Sequence, residues 1–171
     1  MRVVITTLTA ATILSACDLM AEVYNSSLPV TPLSSKDEKA IPYLDRTPTL
    51  SGVDANANGV RDDIDKYIAS KYTIPAQAKA ATQLARSMQS SILVDKTDAS
   101  AVKAVALSID RSVNCLHDRF TNTSGELAAS AVLHILQSLT ANTKTRLIAY
   151  LQFSSAMNGT VGTLPEGDTC E

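Results

Sequence analysis

The feature that most constrains this chain is the stretch from Ala99 to Phe120. There Val102, Val105, Ile109, Val113, Leu116 and Phe120 recur at steps of three and four residues. Only an α-helix places such positions on one face, so one long apolar seam is expected, and it needs other helices to cover it. The flanking sequence repeats the pattern. Asp62–Tyr72 carries Ile64, Tyr67 and Ile68 on one face, with acidic residues at its start that suit the helix dipole. Pro75 sits where a first-turn proline is tolerated and opens a helix striped with Ala81, Leu84, Ala85, Met88 and Ile92. A fourth helix is expected from Ser124 and Leu127 onward, with an apolar face of Leu127, Ala131, Ile135 and Leu139. Asn142 can cap a fifth, "TKTRLIAYLQFSSAM", which stops near Asn158 and Gly159. Alternating β-branched runs with hairpin turns are missing, and the connections are short. The fold class is therefore all-α, an antiparallel bundle of about four to five helices.

The N-terminal third does not fit that bundle. Residues 1–16 read "MRVVITTLTAATILSA", with one charge at Arg2, an uncharged run and then small residues, which is the pattern of an export signal. The run is shorter than the ~20 residues a permanent membrane span needs. "LSAC", Leu14–Cys17, resembles the lipobox of bacterial lipoproteins. The resemblance implies that the Cys17 thiol is lipidated, that the bond before it is cut, and that acyl chains hold the mature protein on a membrane facing the periplasm. An ordinary cleaved signal with an incidental Cys17 is the alternative. Asp18 resembles the signal that retains enteric lipoproteins in the inner membrane. Between Ser26 and Ser51 lie Pro29, Pro32, Pro42 and Pro48, so residues 17–51 read as an extended tether and lead-in to a domain over 52–171, with "IPYL" able to dock on it.

Export also frames the cysteines. With Cys17 lipidated, Cys115 and Cys170 remain as a pair in an oxidising compartment, where a disulfide would pin the tail to the third helix. Two free thiols are the alternative. The formal charge of −2 becomes one unit more negative once Arg2 leaves with the signal, and there is no tryptophan. No basic stripe or aromatic platform for nucleic acid is present.

The loop "VDANANGVRDDID" carries the one candidate ligand. With Asp54 as position one, Asn56 is three, Asn58 five, Gly59 six, Val60 seven, Asp62 nine and Asp65 twelve. Calcium takes six to eight hard oxygens, and a tightly wound loop can aim alternate side chains and one carbonyl at a single centre. The spacing resembles the calcium loop of EF-hand proteins, and among them the dockerin and thrombospondin type 3 loops. The resemblance implies side-chain ligands from Asp54, Asn56 and Asn58, the Val60 carbonyl, Asp62 through water, and Asp65 as the closing carboxylate. Asp63 falls outside the spacing and is expected to be dispensable for calcium. A polar turn that merely caps a helix is the alternative. Pro48 and Gly52 precede the loop in place of an entering helix, and few carboxylates imply weak binding, about 10⁻⁴ M, by a structural ion.

Catalytic chemistry is hard to find. His117-Asp118 resembles the dipeptide of HD-type phosphohydrolases without that family's further ligands. Cys115 and His117 are two apart on a helix and point apart. His134 borders an apolar face. The expected function is a membrane-anchored, non-enzymatic module that binds another envelope protein. The alternative is a small periplasmic enzyme with a site near His117, Asp118 and His134.

Overall fold

The computed structural model describes residues 43–121, 128–159 and 165–171. The signal, Cys17, most of the tether, and Ser124 and Leu127 of the fourth expected helix lie outside them. Five helices carry the described fold: α1 (Asp62–Lys71), α2 (Pro75–Leu93), α3 (Ala99–Arg119), α4 (Ala129–Thr140) and α5 (Lys144–Ala156). No strand occurs among the described residues, and the class is all-α.

Helix α2 is the centre and packs against each of the other four. Its sequence explains why. Ala80, Ala81, Leu84, Ala85, Met88 and Ile92 are buried, and so are Gln83, Ser87 and Ser91. Small side chains on most of its circumference let neighbours approach from several directions. Where α3 crosses it, the Ser87 hydroxyl meets those of Ser108 at 2.7 Å and Ser112 at 2.8 Å, so close approach leaves no polar atom stranded. At one end Tyr67, Tyr72 and Phe120 stack edge to face, with centroids 6.3 and 5.3 Å apart.

Local signals set the helix starts. Asp98 accepts from the N–H groups of Ser100 and Ala101 at the head of α3. Thr143, not Asn142, caps α5, accepting from the Arg146 N–H. Asn142 is engaged elsewhere: its amide donates to the Asp45 carbonyl at 2.9 Å and its oxygen accepts from Arg146. The buried face of α4 also differs from expectation. Ala129, Val132, Leu136 and Leu139 face inward, whereas Ala131 and Ile135 are only partly covered. Ser130, His134, Gln137 and Ser138 mark the polar face of α4, and the buried stripe lies opposite it, whereas a strict four-residue step through Ala131 and Ile135 runs along its edge.

Cys115 and Cys170 form a disulfide with Cα atoms 4.9 Å apart, closing a loop of 55 residues. In the chain-entropy account a loop of that length is worth about 4 kcal/mol. The tail is held by more than sulfur: Gln83 donates to the Thr169 carbonyl at 2.9 Å and accepts from the Glu171 N–H at 3.2 Å.

The lead-in is fixed by charge. Arg61 and Arg146 are both fully buried. Arg61 makes two bonds to Asp63, at 2.7 and 2.8 Å, and donates to the Leu139 carbonyl in the last turn of α4. Arg146 donates to the Asp45 and Leu50 carbonyls and to Asn142, and lies 3.6 Å from the Asp45 carboxylate. Asp45 in turn donates its N–H to Asp63 at 2.8 Å and accepts from the N–H groups of Thr47 and Val53. Of the expected "IPYL" contact, Leu44 packs against the core while Tyr43 is exposed. Gly52 has φ +66°, and a Cβ there would stand 2.7 Å from the Asp45 carboxylate and against the Arg61 side chain. Only glycine fits.

Burial alone would raise the Asp45 carboxyl, but the bonds from Thr47 and Val53 and the charge of Arg146 hold it at about 2, below its ordinary 3.8. A depressed carboxylate contributes stability that is complete above its ordinary value and vanishes as pH falls through the folded one. Denaturant melts between pH 6 and pH 2 should therefore show Asp45→Asn starting less stable and losing less than wild type between pH 4 and 2. Equal acid losses in both proteins would remove Asp45 from this role.

Candidate metal centre

The loop from Val53 to Asp65 is closed on itself by its own polar groups. The Asp62 N–H donates to the Val53 carbonyl at 2.8 Å and joins its two ends. Asp54 accepts from the N–H groups of Asn58 at 3.2 Å and Gly59 at 2.9 Å, one to each carboxylate oxygen. The Asn56 and Asn58 side-chain oxygens accept from the N–H groups of Asn58 and Val60. Two residues take left-handed backbone to wind the loop this tightly, Ala57 at φ +55° and Gly59 at φ +82°.

Asp65 stands in the first turn of α1 and reaches back across this coil. One of its oxygens accepts from the Asn58 amide at 2.7 Å and the Asn56 amide at 3.2 Å. Loop positions three, five and twelve therefore meet at one point. Each amide presents its nitrogen there, because its oxygen accepts from a backbone N–H, of Asn58 or of Val60, so a cation at this point would have to displace those bonds. Asp62 faces another way, accepting from the Ala55 N–H at 3.0 Å, which suits an indirect role through water. The Val60 side chain is buried beneath the loop, and its carbonyl accepts no hydrogen bond among the described residues.

The donor set is all oxygen: the Asp54 and Asp65 carboxylates, two amide oxygens and one carbonyl. Hard cations take such ligands, whereas zinc and copper sites use histidine and cysteine. No three His, Cys, Asp or Glu side chains come together as a metal group among the described residues. A cation held here would lean on the asparagines and the Val60 carbonyl as much as on carboxylate charge, and its affinity would belong at the weak end.

Asp63 is not the neutral bystander that its place outside the ligand spacing predicts. Its side chain is 7% exposed, pairs with Arg61 and anchors the Asp45 N–H. Removing it leaves Arg61 buried without a counter-charge, so it is unusable as a control. The loop also has a contact the sequence does not advertise. Arg86 of α2 donates to the Asn58 carbonyl at 2.9 Å and pairs with Glu171, and its methylenes lie under Gly59.

No metal-holding group forms around the histidines among the described residues. His117 and Asp118 are exposed on α3, and His134 is exposed on α4, whose buried face lies on other residues. Comparison of the chain with protein-family models, curated proteins and solved structures gives no match.

If the loop holds calcium, the domain should melt higher in millimolar calcium than in chelator. At ten times a dissociation constant near 10⁻⁴ M, linkage gives about 1.4 kcal/mol, on the order of 3 °C. Magnesium should do less, because it demands a smaller octahedral shell. Asp54→Ala and Asp65→Ala should each abolish the shift, while Lys66→Ala, exposed on α1 beside the loop, should keep it. A wild type indifferent to calcium would reduce the loop to a helix-capping turn.

Proposed function

We propose that this protein is an envelope lipoprotein, held on a membrane by acyl chains at Cys17, whose helical domain is a non-enzymatic module for binding another envelope protein. The loop of Asp54, Asn56, Asn58, Val60, Asp62 and Asp65 takes a structural calcium ion. The observation that carries this reading is the convergence of the loop and the disulfide-bonded tail on a single side chain, Arg86. Calcium and a disulfide are both available outside the cytoplasm, and together they brace the two ends of the domain against α2.

Anchoring supports the same reading. Two or three acyl chains bind a membrane firmly, since each buried methylene contributes ~0.8 kcal/mol. The residues between Cys17 and the domain then set its reach, at ~3 Å each when extended. Among the described residues no helix is long and apolar enough to cross a membrane. Asp18 favours the inner membrane.

Metabolic labelling with an acyl-chain probe should tag the wild type and leave Cys17→Ser unlabelled; equal labelling would sink the anchor. Site-specific photo-crosslinking in intact cells should then trap one discrete envelope protein. A domain that yields no adduct from any exposed helix position is not a binding module.

A further inference from the structure

Helices α3 and α5 both lie against α2 but scarcely touch each other. Between them runs a groove of about 230 Å³ with Met88 of α2, Ile109 of α3 and Phe153 and Tyr150 of α5 along it. Beside its lining residues, exposed apolar side chains stand on both helices. Leu107 on α3 is 52% exposed, and Leu147 and Leu151 on α5 are 45% and 56% exposed. Helical spacing puts Ala106, Leu107 and Asp110 on one stripe of α3, and Leu147, Tyr150, Leu151 and Ser154 on one stripe of α5. Helix α5 is turned inside out in its first turns, with Arg146 buried and Leu147 and Ile148 in solvent.

One charged group lies in this groove, Asp110. Its carboxylate makes no hydrogen bond or ion pair with the described residues. Burial raises its carboxyl above the ordinary value, with no cation close enough to offset the cost. Lys103, two turns back on α3, is about 10 Å along the axis.

We propose that the groove between α3 and α5 is a docking site for an amphipathic helix of a partner protein, one with a lysine or arginine set among its apolar anchors to pair with Asp110. The inference rests on the reading of this domain as a binding module and names the surface and the chemistry it uses. A helix laid between two helices buries apolar side chains at i, i+3, i+4 and i+7 against both rims. Its cation meets a carboxylate that is already partly stripped of water, so pairing restores what burial costs. The same carboxylate disfavours the other occupants. A second copy docked symmetrically would bring Asp110 toward its twin, and an anionic lipid surface would meet a like charge.

The test is a display library of helical peptides selected against the full chain with its disulfide intact. Recovered sequences should share an apolar stripe at helical spacing with a lysine or arginine inside it. For a synthesised winner, Asp110→Asn should weaken binding about tenfold and Leu151→Asp should abolish it. Asp110→Lys should switch the selected charge from basic to acidic. Leu151 is exposed and Asp110 is half-buried with no partner, so helix content should stay at the wild-type value in each variant and Asp110→Asn should melt no lower than wild type. Winners without a basic preference, or binding that survives both Leu151→Asp and Asp110→Lys, would overturn the groove while leaving the module reading in place. Vesicles of phosphatidylglycerol and phosphatidylethanolamine, or a second copy, bound through Leu151 in place of any peptide would overturn both.

Discussion

Two buried arginines and two aspartates decide how the N-terminal part of this domain meets its helices. A buried guanidinium is tolerated only when paired and hydrogen-bonded, and each here has both. Arg61 takes Asp63 and the final carbonyls of α4, where the helix dipole is negative. Arg146 takes the Asp45 carboxylate and the carbonyls of Asp45 and Leu50. Removing one partner of such a set costs about 3 to 5 kcal/mol, because it strands the other charge. The lead-in therefore has one register on the bundle, and the loop that follows inherits its position.

That dependence reaches the candidate metal centre through the chain itself. Arg61 lies in the loop immediately before α1, and its carbonyl accepts from the Ile64 and Asp65 N–H groups. Fixing the Arg61 side chain therefore fixes the first turn of α1, and with it the Asp65 carboxylate. On the other side of the loop, the Val53 N–H is held by Asp45, a member of the same set. The loop is short and wound through two left-handed residues, so holding its ends leaves little freedom for its ligands. Were such a loop to take an ion, its few carboxylates would gain from this shaping in advance, since less ordering would be left for the ion to bring about.

Much of the bundle was legible because apolar periodicity reports burial directly. The α2 stripe of Ala81, Leu84, Ala85, Met88 and Ile92 is buried throughout, and the helix ends fall within two residues of expectation for α1, α2, α3 and α5. In the loop, Asn56, Asn58 and Asp65, which meet in the structure, stand at the spacing the sequence shows. What could not be read were the residues that violate the usual prior. Arginine is rarely fully buried, so nothing marked Arg61 or Arg146 as core, and Asp63 looked like one more acid at a helix start. Gly52 offered a faint signal, a lone glycine next to an apolar residue, but its need comes from Arg61 and Asp45 crowding it. In α4 the polar face of Ser130, His134, Gln137 and Ser138 did mark the buried stripe opposite it, and stepping by four residues from Leu127 missed that stripe by part of a turn.

Arg86 joins the two halves of the domain. One guanidinium arm holds the Asn58 carbonyl, in the middle of the loop, and another holds Glu171, next to the disulfide at Cys170. A bonded tail keeps Glu171 near Arg86, and a positioned Arg86 keeps the Asn58 carbonyl from turning. Ordering of the loop by an ion would in turn hold Arg86 in place for the tail. Effects that share a side chain in this way do not add, since each pays part of the ordering cost of the other. The surface Arg86–Glu171 pair contributes little by itself, being largely exposed. Its consequence is connectivity: a loop and a tail far apart in sequence report to one residue of the central helix.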